Sequence, residues 1–147
     1  MTTASGTTET TELASRLRLA VTRLARKLRQ EAEPGITPSL LVALASIDRG
    51  GPMTIGDLCS MEQVQPPTMS RIVAALVEAG LAVREPDSID RRVAWVRATP
   101  EGVKLLQRSR KRKDVYLAKG LRGLEPRELA VLEEAAGILE RLVEAGR

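Results

Sequence analysis

Two short stretches concentrate the groups that could do chemistry in this chain: Gln65-Pro66-Pro67-Thr68, where a segment with helical apolar spacing begins, and Asp90-Arg91-Arg92, between two β-favouring segments. Both offer hydrogen-bond donors and cations with no nucleophile–base pair beside them. A helix start and a charged tip of this kind suit the major and the minor groove of DNA, respectively.

What is absent sharpens that reading. The 147 residues include no histidine, which removes the commonest general base and the commonest zinc ligand together. Ser-His and Cys-His nucleophile pairs are therefore impossible, no metal cluster is visible, and no catalytic residue, cofactor or enzymatic activity is expected. The single cysteine, Cys59, cannot form an intrachain disulfide, which fits a reducing compartment. Residues 1–11 are Thr-rich without the apolar region of a signal peptide, and no apolar run approaches the length of a membrane span. A cytoplasmic protein with no membrane partner is expected.

Charge is unevenly distributed. Residues 1–64 carry 7 basic and 7 acidic side chains, residues 65–113 carry 11 and 5, and residues 114–147 carry 5 and 7. The positive excess falls on the segment that holds both candidate surfaces, although a solvated basic face would look the same. Aromatic residues are limited to Trp95 and Tyr116, so the core must be aliphatic, which favours packed helices over a β-sandwich.

The elements that would position the two surfaces follow from spacing and punctuation. Residues 1–9 are expected to be disordered. A first helix runs from about Thr10 to Glu33, with Leu13, Leu17, Ala20, Val21, Leu24 and Leu28 along one side. Thr37-Pro38 opens a second helix as N-cap followed by proline, and Gly50-Gly51-Pro52 stops it. Thr54 caps a short third helix with Asp57 three residues on, and a fourth helix buries Met69, Ile72, Val73 and Leu76 before Gly80 ends it. The short connection between these two helices forces the steep crossing of a helix-turn-helix. Leu81, Val83, Val93, Trp95 and Val96 form a hairpin around a polar tip, Thr99-Pro100-Glu101 begins a long fifth helix, and a last helix spans about Pro126 to Ala145.

The architecture predicted is mainly α with a small β wing: a winged helix-turn-helix with N- and C-terminal dimerisation helices. Its parts are dimerisation helices at 10–36 and 122–147, a winged helix-turn-helix at 37–100 and a connecting helix at 101–121. The first and last apolar stripes lie far from the compact unit, and each Leu or Val left in water forgoes about 1.5 to 3 kcal/mol of burial. A second copy of the chain would cover them and give two symmetry-related reading heads. The alternative is that these helices fold back on their own domain.

Several motifs in fixed order now carry a resemblance. Pro67-Thr68-Met69-Ser70-Arg71, Leu76-Val77-Glu78-Ala79-Gly80-Leu81, Asp90-Arg91-Arg92 and Ala98-Thr99-Pro100-Glu101-Gly102 together resemble the MarR family of bacterial transcriptional regulators. That resemblance implies a homodimer with interlocking terminal helices, bound to a palindromic operator on double-stranded DNA. The usual output is repression, relieved by a small-molecule effector or by oxidation. Carried over to this sequence, it implies that Gln65 and Arg71 reach base edges, that Thr68 and Ser70 donate to phosphates, and that Pro66 and Pro67 fix the first turn and touch a thymine methyl group. In the wing it implies that Arg92 enters the minor groove, Asp90 orients the loop, Arg91 serves phosphate, and Arg84 pairs with the wing acid or touches backbone.

Plain alternatives stand beside these roles: helix capping for Thr68 and Ser70, a solvated charge for Arg71, and a purely structural hairpin pair for Asp90 and Arg92. The run Arg108 to Lys113 wraps round its helix and reads as solvated charge that supports the field. Some members of the family sense peroxide through a cysteine, which makes a thiol-based regulator acting through Cys59 the alternative function. Cys59 has no basic neighbour before Arg71, however, and a small buried apolar role suits it better. The effector, its pocket and the operator sequence stay open at this point.

Overall fold

The computed structural model describes residues 3–146. Its elements are α1 (Thr3–Gln30), α2 (Pro38–Gly50), β1 (Met53–Thr54), α3 (Ile55–Glu62), α4 (Pro66–Glu78), β2 (Ala82–Pro86), β3 (Ala94–Ala98), α5 (Pro100–Leu121) and α6 (Pro126–Ala145). The mainly α winged helix-turn-helix expected from the sequence is the fold observed.

Local chemistry explains most boundaries. Three threonines cap helices through their side-chain oxygens: Thr37 accepts from the Leu40 N–H at 3.4 Å, Thr54 from Asp57 at 3.1 Å and Thr99 from Gly102 at 3.1 Å. At α3 the arrangement is reciprocal, because Asp57 Oδ2 also accepts from the Thr54 N–H at 3.1 Å. The end of α4 is a Schellman turn, with the Leu81 N–H on the Leu76 carbonyl, the Gly80 N–H on that of Val77, and Gly80 at a φ of +71°. Gly102 is required for another reason. The Thr99 hydroxyl donates to the Gly80 carbonyl at 2.6 Å, and the start of α5 is thereby drawn so close to β2 that a Cβ at Gly102 would collide with the Leu81 carbonyl.

The sheet is antiparallel in the order β1-β3-β2. The hairpin pairs Ala82 with Ala98 and Arg84 with Val96, while Met53 of β1 pairs with Val96 from the other side. Strand β1 was not expected, since two residues are too few to show alternation. The core lies where α2, α3, α4, α5 and the sheet converge: Leu44, Ile47, Leu58, Met69, Val73, Leu76, Val96 and Leu106 are buried, and all are aliphatic or methionine. Both aromatic residues lie outside it.

Two expectations about the N-terminal segment need correction. Helix α1 starts at Thr3, so residues 3–9 are helical where disorder was expected, and it ends at Gln30 where the sequence suggested Glu33. Once the Leu13–Leu28 stripe has nucleated a helix, each added residue gains one backbone hydrogen bond, and the Thr11 hydroxyl ties back to the Thr7 carbonyl at 2.8 Å. Residues 1 and 2 lie outside the described residues. The terminal helices do not fold back to bury their stripes. None of residues 7–30 and none of the described residues of α6 is buried, and Leu13, Leu17, Val21, Leu24, Leu132, Ile138, Leu142 and Val143 are all exposed. No helix among the described residues is long and apolar enough to cross a membrane.

Candidate nucleic-acid interface

Helix α3, the three-residue connection Gln63-Val64-Gln65 and helix α4 make the helix-turn-helix. The turn closes because Gln63 adopts the left-handed conformation (φ 52°, ψ 43°) and the N–H groups of Gln63 and Val64 both donate to the Cys59 carbonyl. Met69, Val73 and Leu76 then bury one face of α4, leaving Thr68, Ser70 and Arg71 on exposed positions. Gln65 is the N-cap residue, yet its side chain caps nothing. Thr68 and Ser70 lie at the third and fifth helical positions, past the cap, and their hydroxyls find no hydrogen-bond partner among the described residues, which removes the capping alternative for both.

The two prolines change what this helix start can offer an anion. Most helix N-termini present unpaired backbone N–H groups. Here Pro66 and Pro67 have none, and the Thr68 N–H is already on the Gln65 carbonyl at 3.0 Å. Within the first turn of α4 the donors left for an anion are therefore mostly side chains: the Gln65 amide, the Thr68 and Ser70 hydroxyls and the Arg71 guanidinium. Arg71 has no ion-pair partner among the described residues.

The wing is held by two carboxylates. Asp87 Oδ2 accepts from the Asp90 N–H at 2.9 Å and the Ile89 N–H at 3.0 Å, while its Oδ1 accepts from the Trp95 indole at 2.9 Å. These three donors, the Asp90 N–H foremost and the indole next, hold the Asp87 carboxyl below the usual carboxylate range. Asp90 Oδ1 accepts from Arg92 Nε at 3.0 Å and from the Arg92 N–H at 3.1 Å, and its Oδ2 accepts from Arg92 Nη2 at 3.1 Å. That bidentate guanidinium, helped by the backbone N–H, lowers the Asp90 carboxyl and in turn raises the Arg92 pKa. The Arg92 side chain is still 91% exposed, so one edge of the fork is fixed while the rest faces solvent. Arg91 is exposed beside it with no ion-pair partner among the described residues.

Arg84 behaves differently from one of its two expected roles. It does not pair with the wing acid, because Asp90 is occupied by Arg92; it sits opposite Val96, on the sheet face shared with Ala82, with its own side chain exposed. The cross-strand pair in the hairpin is Arg97 with Glu85, at 3.0 Å. The basic run of α5 is also not simply solvated. Arg108 meets Glu33 at 3.3 Å, Arg110 meets Asp48 at 3.8 Å, and Arg112 Nε donates to the Glu31 carbonyl at 3.1 Å, tying α5 to α2 and to the α1–α2 connection. Sequence reasoning passed over Asp87, although an Asp two residues before a loop N–H is the signature of an Asx turn. It also passed over Ser46, buried in α2, whose hydroxyl bonds Glu62 of α3. Cys59 is half-buried and packs against the core.

Comparison with known proteins agrees with this geometry. The model of the MarR family matches residues 36–94, the helix-turn-helix and most of the wing. The HTH-type transcriptional regulator MT0903.1 of Mycobacterium tuberculosis (strain CDC 1551 / Oshkosh) is 37% identical over 133 residues, covering 90% of this chain and 93% of its own. A crystal structure from Pseudomonas aeruginosa PA01, assigned as a transcriptional regulator, superposes with a TM-score of 0.82 at 31% identity over 92% of this chain and 96% of the other. A point mutant of MepR from S. aureus, bound to an oligodeoxyribonucleotide, shares the fold at a TM-score of 0.67 and 21% identity, covering 92% of this chain and 98% of its own. The chain belongs to the MarR family and is a DNA-binding transcriptional regulator, not an enzyme.

Proposed function

We propose that two copies of the chain pair through residues 10–36 and 122–147, bind a palindromic operator in the cytoplasm and repress transcription until a small-molecule effector intervenes. The observation that supports this reading is an asymmetry: α2, α3, α4, the sheet and the first half of α5 share one buried core, while α1 and α6 leave their aliphatic stripes uncovered. A two-fold pairing covers those stripes and presents two copies of α4 to successive major-groove turns. In each head Gln65 and Arg71 read base edges, Thr68 and Ser70 bind phosphate, and Pro66 and Pro67 stiffen the first turn. Arg92, aimed by Asp90, enters the minor groove, with Arg91 and Arg84 serving the backbone.

An open cleft supports the effector reading. A cleft of about 1290 Å³ between α1 and α5 is lined by Leu24, Val115, Tyr116 and Leu121 together with Arg108 and Lys111. A ligand there competes with the Arg108–Glu33 contact that ties α5 to the α1–α2 connection, and so shifts the heads relative to the terminal helices. The half-buried, core-packed position of Cys59 supports this ligand-responsive reading over a thiol switch. Peroxide is expected to leave operator binding unchanged; loss in the wild type but not in Cys59→Ser would replace the ligand reading by the redox one.

The test of the reading head uses a duplex selected by the wild-type protein from a randomised pool. Arg71→Ala is expected to relax base discrimination by about 1 to 3 kcal/mol. Arg92→Ala is expected to weaken binding and to flatten its salt dependence. Equal losses on selected and random DNA would overturn base reading by Arg71.

A further inference from the structure

The wing tip carries an apolar residue that the core cannot use. Ile89 is 94% exposed, the most exposed large hydrophobic side chain among the described residues, yet its backbone is pinned, since its N–H donates to Asp87 Oδ2 at 3.0 Å. The same carboxylate holds the next N–H, the Val93 N–H is on the Asp90 carbonyl, and Asp90 is consumed by Arg92. Both acids of the tip are thus engaged by donors of the wing itself. What the tip exposes is Ser88, the branched aliphatic side chain of Ile89 and, two and three residues further on, the cations Arg91 and Arg92.

We infer that Ile89 packs against the sugar wall of the minor groove beside the point where Arg92 enters. This rests on the proposed placement of the wing in that groove. The chemistry of the two surfaces is complementary: the groove has apolar C–H walls under a negative potential, and the tip has an apolar side chain in the same short loop as two cations. A loop fixed by its own hydrogen bonds loses little conformational freedom on docking, so contact at Ile89 translates into affinity with little ordering cost. Because the contact is apolar, it releases no counterion and leaves the salt dependence of binding untouched. Arg92 differs on that count, and the difference makes the two contributions separable.

The experiment measures binding of the full-length protein to the selected duplex across a salt series for wild type, Ile89→Ser, Ile89→Leu and Arg92→Ala. Ile89→Ser is expected to bind about tenfold more weakly with an unchanged salt slope, Ile89→Leu to retain most of the affinity, and Arg92→Ala to lose affinity with a shallower slope. The fluorescence of Trp95, whose indole is held by Asp87, reports whether each variant keeps the wing intact; should Ile89→Ser disturb it, Ile89→Thr keeps the β-branch and carries the same expectation. Wild-type affinity in Ile89→Ser alongside a weakened Arg92→Ala would overturn the role of Ile89 and leave the wing placement standing. If neither variant weakens binding, the wing placement itself fails and takes this inference with it. A loss in Ile89→Ser seen only on phosphatidylserine vesicles, with duplex affinity intact, would assign the tip to a membrane surface and overturn the inference.

Discussion

The winged unit and the terminal helices are built from the same aliphatic residues and end in opposite states. In the winged unit Leu44, Leu58, Leu76 and Val96 are fully buried, and threonine caps, a Schellman turn and a clash-free Gly102 fix the boundaries around them. In α1 and α6 the equivalent side chains face outward, with Leu142 61% and Val143 66% exposed. Composition does not separate the two regions; what does is whether one chain can supply both sides of the packing. The winged unit closes on itself, and in the proposed dimer the terminal helices are half of an interface.

Truncations on either side of that division break the comparison most sharply. Leu58→Ala, which opens a cavity in the closed region, is expected to cost about 2 to 5 kcal/mol at any protein concentration, as read by denaturant unfolding. Leu139→Asp on α6 is expected to leave the winged unit folded while separating the copies, so the unfolding midpoint should rise with protein concentration in the wild type and stay constant in the variant. If Leu139→Asp behaved like a core truncation, independent of concentration, the terminal helices would have to be packed within one chain.

Acid sharpens the comparison more gently. Asp87 and Asp90 have carboxyls held below their ordinary value of 3.8, so their contribution to the wing is complete above that value and is lost as pH falls through the lower folded value. Trp95 is the chain's single tryptophan and donates to Asp87. Its emission is therefore expected to hold steady from neutral pH to about pH 4 and to change only below it. A transition between about pH 5 and 7 would show that some other group controls the wing.

Much of the fold was legible in the sequence because its punctuation is local. Thr37-Pro38, Thr54 with Asp57, Gly80, and Thr99-Pro100 each mark an element end through chemistry confined to a few neighbouring residues. Strand β1 was not legible, since a two-residue strand is defined by its partner Val96, distant in sequence. Within the candidate site, Asp90 and Arg92 were implied by the resemblance to the family's wing pattern, and the structure brings them together. Arg84 did not find the acid expected for it, because a closer guanidinium occupies both oxygens. The arginines of α5 looked solvated since Glu33 and Asp48, their partners, belong to a distant part of the chain, Glu33 lying 75 positions before Arg108. Long-range ion pairs leave no periodic trace.

Sedimentation equilibrium of the full-length protein, alone and on the selected duplex, tests the central claim most directly. The account predicts a particle of twice the 16.0 kDa chain mass in free solution and two chains on each duplex. A single chain in solution, bound one to a duplex with full affinity, would contradict it.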